Sequence, residues 1–347
     1  MRHKMKCVNL HAPGDLRYEE VDIPRLQEDE VLVKVKSAGI CGSDFGRIMV
    51  EGTYSFSTIP GHEFAGVIAD KGSTKHKVGE RVCIAPLLPC FQCEQCQQGK
   101  FGQCVSYDFI GSRRNGAFAE YVAVPNRQLI PIPEQVSYVE AAMIEPAAVS
   151  LHGLYLAGVT AGQSVAVLGC GTLGMLCIEL LREMGVAHIV AIDLDLDKLT
   201  MAQRLGADTT ISAGEDDWLE CYHRDFPKGC DVAVETAGST KTQADIINLV
   251  KVAGTIVYMG SAHGDVTIKP NQFDRIVRGE ICLVGSWNSY SAPYPGREWS
   301  TILRWLEQKK LDFTPLISRR IGLQEVPQVV AEQSEKRGKE IKIIIEL

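Results

Sequence analysis

SVAVLGCGTLGMLCIELLREMGVAHIVAID, residues 164–193, decides how this chain folds. Its first five residues are an apolar run of the kind a strand buried on both faces requires. TLGMLCIELLREMG then reads as a helix, and HIVAID returns to an apolar strand. The rhythm continues through LDKLTMAQRLGA, DVAVETAG, GTIVYMG and ICLVGS, which predicts a doubly wound parallel sheet. At the first strand-to-helix turn, Gly169, Gly171 and Gly174 form G-x-G-x-x-G, the turn that lets a pyrophosphate approach the backbone at a helix N-terminus. Asp193 ends the next strand, 19 residues beyond Gly174, where a carboxylate can bind a ribose 2′-hydroxyl and would repel a 2′-phosphate. The LDLDK that follows adds acids and no arginine, so NAD is expected over NADP. Thr172 and Leu173 in the turn, with Gly260 and Ser286 at the ends of later strands, complete the candidate cofactor-binding residues of this Rossmann-type domain.

Outward from this stretch the pattern changes. Up to about residue 148 the chain carries short β-rich runs broken by Gly and Pro, namely VLVKVKSAG, FAGVIAD, ERVCIA and FAEYVAVP, which predict an antiparallel, barrel-like domain. Beyond residue 290 come a loop, the amphipathic helix STILRWLEQKKL and the closing strand IKIIIEL. A strand so apolar needs a sheet to join, and the N-terminal domain is the β-rich one. The expected organisation is α/β, with a catalytic domain over 1–149 and 290–347 and a Rossmann domain inserted over 150–289.

A length of 347 residues exceeds what one core usually supports, in keeping with two domains. The balance of 36 Lys+Arg against 43 Asp+Glu, a net charge of −7, disfavours nucleic acid or an anionic membrane as the main partner and favours a small molecule. No targeting segment or membrane span is evident, and a cytoplasmic protein is expected. Several of the twelve cysteines, among them Cys170, Cys177 and Cys282, sit alone in apolar runs, where a reduced thiol packs as a small hydrophobe.

Four others are clustered. CFQCEQCQQGKFGQC, residues 90–104, sets Cys90, Cys93, Cys96 and Cys104 with two, two and seven residues between them, enough thiolates to close a tetrahedral zinc shell. A closed shell is structural, and the surplus of Gly and Gln leaves this lobe, 88–106, little core of its own, so the metal is expected to hold it folded. Chemistry needs an open position on a metal. Cys41 in AGICGSDFG and His62-Glu63 in IPGHEFAG each follow a β run beside glycine, and Glu145 in MIEPAAV lies at the approach to the nucleotide domain. Cys, His and carboxylate would leave a fourth zinc position free for Lewis-acid catalysis. Taken singly, each of these residues could be structural.

CGSD, GHE, the four-cysteine lobe, IEP and G-x-G-x-x-G, in this order, resemble the zinc-dependent medium-chain dehydrogenases over nearly the whole chain. The CGSD, GHEFAG and IEP forms are similar to the sorbitol-type polyol dehydrogenases, and PLLPCFQC, YDFIGSRRNGAFAEY and GSWNSYSAPYPGREW to their galactitol-phosphate branch. The resemblance implies a GroES-like catalytic domain, two zinc ions per subunit, NAD, and a homo-oligomer, dimer or tetramer, built through the Rossmann sheets. It marks Cys41 and His62 as zinc ligands, with Glu63 and Glu145 as the two acids of the zinc environment. It makes Asp44 the acid that orients the zinc histidine and Ser43 the hydroxyl that begins the proton relay. Gly46 stands where many relatives carry a histidine in that relay.

The implied reaction is oxidation of a secondary alcohol of a polyol or polyol phosphate to the ketose. Arg113 and Arg114, between Gly111 and Gly116, are the candidate phosphate clamp, because forked guanidinium groups suit phosphate and an acidic chain needs a local reversal of sign to take an anion. An unphosphorylated polyol or sugar acid, or threonine, is the alternative substrate. A non-enzymatic NAD-binding protein on the same scaffold would not need Cys41, His62 and Glu145.

Overall fold

The computed structural model describes residues 4–215, 217–335 and 339–347, and by internal contacts the chain forms two units, Met1–Glu145 with Tyr290–Leu347, and Pro146–Ser289.

The first unit is built around a seven-stranded sheet. The long strand Glu30–Ile40 pairs antiparallel with Glu63–Lys71, with Tyr121–Pro125 and with Lys342–Glu346. Arg81–Ile84 and Leu129–Pro131 extend the sheet on one side, and Ile317–Gly322, parallel to Lys342–Glu346, extends it on the other. The closing strand therefore completes this sheet, with Ile343 opposite Ile40, because KIII would otherwise expose an apolar run. Val31, Val33, Val35, Phe64, Ile68, Val82 and Ile345 fill the core beneath it.

The second unit holds a six-stranded parallel sheet. From one edge its strands are Thr209–Ser212, His188–Asp193, Ser164–Leu168, Cys230–Glu235, Val250–Tyr258 and Cys282–Gly285, numbered 3-2-1-4-5-6 within this unit. This is the doubly wound order whose direction reverses beside its first strand, where ligands bind at the carboxyl ends. The apolar run of residues 164–168 sits centrally, with Ala166 between Val190 and Ala233. Cys170 and Cys177 are buried as expected of packed thiols, but Cys282 is exposed. It lies on the edge strand, which no further strand of the described chain covers.

Candidate active site and metal centres

Strand register assembles the first cluster. Gly39 stands opposite Glu63 and Ile343 opposite Ile40, so three adjacent strand ends deliver Cys41, His62-Glu63 and Lys342 to one place. Ligand atoms of Cys41, His62 and Glu63 all lie within 4.8 Å of one another, with His62 and Glu63 buried. Asp44, fully buried on the short helix Gly42–Gly46, puts Oδ1 3.5 Å from His62 Nδ1, which leaves Nε2 as the ring nitrogen for a metal. The Cys41 N–H donates to Asp44 Oδ2 at 3.1 Å, and Arg47 Nη1 donates to Oδ1 at 2.8 Å. Ser43 Oγ donates to Cys41 Sγ at 3.3 Å, placing its hydroxyl on the exposed side of the cluster.

Burial disfavours charge throughout, and the charges compensate one another. Burial works against protonation of His62, yet the negative charges of Asp44 and Cys41 outweigh it and hold the imidazole well above the usual histidine range. Burial would raise the Asp44 carboxyl, but His62 and Arg47 bring it below the usual carboxylate range. Glu145, buried in the first turn of the helix Ile144–Leu156, has its carboxyl pushed up to about 7, chiefly by burial; His62 and Lys342 oppose the rise, and Glu63 and Asp44 add to it. Glu145 thus senses the cluster electrostatically but stands outside the three-ligand set. A soft thiolate, an imidazole and buried carboxylates surrounding a space that favours positive charge fit zinc.

Lys342 is the member that sequence reasoning missed. Its buried ammonium ion-pairs with Glu63 and donates to Ile40 O at 3.2 Å. A Cβ at position 39 would collide with Glu63 Oε2 and come within 2.8 Å of Lys342 Cε, so Gly39 is what lets the pair meet. Burial would lower the lysine's pKa, but Glu63 and Cys41 raise it. The signal was a lysine at the head of the apolar run in IKIIIEL.

The second cluster is the four-cysteine lobe. All four sulfurs lie within 4.8 Å, with Cys90–Cys96 and Cys93–Cys104 at 3.9 Å. Zinc–sulfur bonds of about 2.3 Å imply tetrahedron edges of about 3.8 Å, so the spacing is that of a metal shell. Main-chain N–H groups of Gln92 and Cys93 bond the Cys90 sulfur and bring its pKa down to about 6, while burial pushes Cys96 up to about 12. The lobe has little core of its own but borrows apolar packing from outside it. Phe91 and Phe101 pack edge-on to Tyr294, at 5.3 and 5.4 Å between ring centroids, and Arg127 covers Phe91. The missing apolar partner arrives from almost 200 residues further along the chain.

The arginine pair divides. Arg114 is committed to Glu30, Nη2 to Oε1 at 2.5 Å, with Asp108 at 3.9 Å. Arg113 is sandwiched between Tyr54 and Tyr107 at 3.9 and 4.3 Å from the ring centroids, and its buried Nε has no partner. The Arg113 N–H bonds Phe109 O, and the Phe109 ring lies edge-on to His62 at 5.6 Å, which ties this loop to the first cluster.

In the second unit, Ile192, Leu168, Glu235, Tyr258 and Gly285 form one row across the sheet. The expected cofactor residues Asp193, Gly169 and Ser286 follow directly at its carboxyl edge, and Gly260 one residue further on. Gly169 has φ +101, and a Cβ there would lie 2.7 Å from Ala237 N; a Cβ at Gly174 would strike Gly169 O, whereas Gly171 faces open space. These are the turn, packing and close-approach positions a pyrophosphate loop needs. Thr172 and Leu173 open the helix Thr172–Glu183. Asp193 accepts from Cys170 N at 2.6 Å and Asp195 N at 2.9 Å. Ser286 Oγ is buried without a partner.

The fold and the two cysteine-bearing clusters define a class. Residues 27–134 match the alcohol dehydrogenase GroES-like domain and residues 172–308 the zinc-binding dehydrogenase domain, and the chain belongs to the zinc-binding, medium-chain alcohol dehydrogenase family. It is similar to galactitol 1-phosphate 5-dehydrogenase of Escherichia coli (strain K12), 36% identical over 94% of this chain and 96% of the relative. The crystal structure of galactitol-1-phosphate dehydrogenase from Escherichia coli superposes with a TM-score of 0.94 at 34% identity, covering 99% of this chain and 100% of that one. A zinc-binding dehydrogenase from Sinorhizobium meliloti 1021, bound to NADP, superposes at 0.91 with 31% identity, covering 100% of both chains.

If zinc holds the lobe, Cys93→Ser should remove one metal equivalent and lower the melting temperature by several degrees before it alters turnover in surviving protein. Metal analysis and a melting curve unchanged from the native protein would contradict this.

Proposed function

We propose that this dehydrogenase oxidises a secondary alcohol of a polyol phosphate with NAD+, and specifically galactitol 1-phosphate to tagatose 6-phosphate. The observation that carries the phosphate is Arg113. Its guanidinium lies over the rings of Tyr54 and Tyr107, its buried Nε has no partner, and its main chain bonds the carbonyl of Phe109, whose ring packs on His62. Arg114 serves the loop through Glu30. The similarity to galactitol 1-phosphate 5-dehydrogenase supports the same substrate class.

Zinc in the Cys41, His62 and Glu63 set would supply Lewis acidity to the alcohol, and NAD+ the hydride acceptor. This chain's residues do the rest. Asp44, with Oδ1 3.5 Å from His62 Nδ1, favours the tautomer protonated there and would orient the ring. Ser43, beside Cys41, would take the substrate's hydroxyl proton while releasing its own to solvent. Glu145 adjusts the charge balance beside the ligands and is a second route for the proton. Although the Sinorhizobium meliloti relative carries NADP, Asp193 and the absence of arginine from residues 194–198 favour NAD here.

The test is NAD(P)+ reduction over paired phosphorylated and free hexitols, with native protein and Arg113→Ala. Loss of a charge-assisted contact should raise KM for the phosphate about ten- to a hundredfold and leave free polyols nearly unaffected. Equal losses for both would promote the unphosphorylated polyol, and equal use of NADP+ would remove the cofactor assignment.

The sheet edge supports a homo-oligomer. Leu283 on the strand Cys282–Gly285, with Phe273, Val277 and Val252 nearby in sequence or sheet, is solvent-exposed on an unpaired edge of the kind that pairs with a second copy. Reduced, metal-ligating cysteines suit the cytoplasm, and no helix among the described residues is long and apolar enough to cross a membrane. Sedimentation should find a dimer or tetramer that Leu283→Asp dissociates; a native monomer at micromolar concentration would refute it.

A further inference from the structure

Directly behind the glycine fingerprint lies a carboxyl group that neither metal centre uses. Glu235 ends the strand Cys230–Glu235 and is completely buried, a setting in which acids are uncommon unless paired. Its neighbours are neutral donors. Oε1 accepts from Gly238 N at 2.9 Å and from Thr242 Oγ1 at 2.7 Å, and the main-chain N–H groups of Ala237 and Gly260 also face the carboxyl. Burial pushes the group's pKa up, and these donors only partly offset the rise.

The donors belong to the turn that backs the phosphate loop. Thr236 Oγ1 donates to Gly169 O at 2.7 Å and Thr236 N to Leu168 O at 3.0 Å. Ala237 is the residue a Cβ at Gly169 would strike, and Thr236 Oγ1 lies 3.0 Å from where a Cβ of Gly174 would sit. On the other side, the Glu235 carbonyl accepts from Met259 N and Gly260 N at 2.9 and 3.2 Å, and Gln243 Nε2 donates to Gly260 O at 3.0 Å. A Cβ at Gly260 would come within 2.6 Å of Glu235 Oε2. One residue therefore meets both loops at the carboxyl edge where the strand order reverses: its carboxyl holds Gly238 and Thr242, and its main-chain carbonyl holds Met259 and Gly260.

We propose that Glu235 is a positioning residue for the dinucleotide: by holding residues 236–238 against Gly169 and Gly260, it sets the shape of the phosphate loop without touching the ligand. Without this acceptor, the Gly238 N–H and the Thr242 hydroxyl would be left to find other partners, and the turn supporting Gly169 would relax. The inference rests on residues 169–174 being the dinucleotide site.

The test is titration of the zinc-loaded protein with NADH and NADPH, followed by fluorescence, for native, Glu235→Ala, Glu235→Gln and Thr242→Val. Whichever dinucleotide the native protein binds should bind Glu235→Ala at least about tenfold more weakly, as expected for loss of hydrogen bonds to a buried acceptor. KM for the alcohol at saturating cofactor should stay within about twofold, because that half of the reaction does not depend on the turn. Glu235→Gln keeps a carbonyl oxygen for Gly238 and Thr242 and should recover most of the affinity. Thr242→Val removes one donor and should weaken binding a few-fold even if Glu235→Ala fails to fold. Native-like affinity in Glu235→Ala, or in Thr242→Val where the alanine variant does not fold, would overturn the proposal, as would a glutamine variant no better than alanine. Binding of neither dinucleotide by the native protein would instead bring down the dinucleotide reading and this inference with it.

Discussion

The pairing of Glu30–Ile40 with Glu63–Lys71 on one side and Lys342–Glu346 on the other is the constraint on which the catalytic centre depends. Register in a sheet has a period of two, so a slip of one residue would turn these side chains to the opposite face. The observed register brings thiol, imidazole, carboxylate and ammonium together at three strand ends. The Glu63–Lys342 pair then locks that register chemically, because leaving one partner of a buried ion pair alone costs about 3–5 kcal/mol. Since Lys342 lies beyond the inserted nucleotide unit in sequence, the metal site is complete only when the last strand has returned to the first sheet.

The two metal centres show how one element is put to different uses. In the lobe, main-chain N–H groups stabilise thiolates and four sulfurs close the shell, so a metal there can only hold structure. In the sheet cluster Cys41, His62 and Glu63 would leave a position open on a metal, and Arg47 and Lys342 balance the surrounding acids. The nucleotide unit uses neutral backbone geometry instead: glycines where a Cβ would strike the chain, and behind them a buried acid whose Oε1 accepts from N–H and O–H donors.

What was legible in the sequence was what is local. Cys90 to Cys104, Gly169 to Gly174 and Asp193 carry their meaning in spacing, and apolar periodicity separates parallel from antiparallel strands. CGSD and GHE were legible as candidates, but only the register brings them together. The rest depends on contacts remote in sequence. Lys342 meets Glu63 across 279 positions, and Tyr294 supplies the lobe with an aromatic partner from the far side of the inserted unit. Arg113 and Arg114 are equivalent as letters; Glu30, 84 residues away, claims one, and two tyrosines hold the other. Glu235 closes the apolar VAV run and could have been noticed as an acid at a buried strand end, but its donors become visible only with the turn folded.

The central claim is that the three strand ends hold a catalytic zinc distinct from that of the lobe. Zinc content, NADH binding and alcohol oxidation measured together on His62→Ala test it most directly. The account predicts loss of one of two zinc equivalents and near-complete loss of turnover, with NADH affinity and melting temperature close to native. Full turnover in a variant retaining only the lobe metal would contradict it.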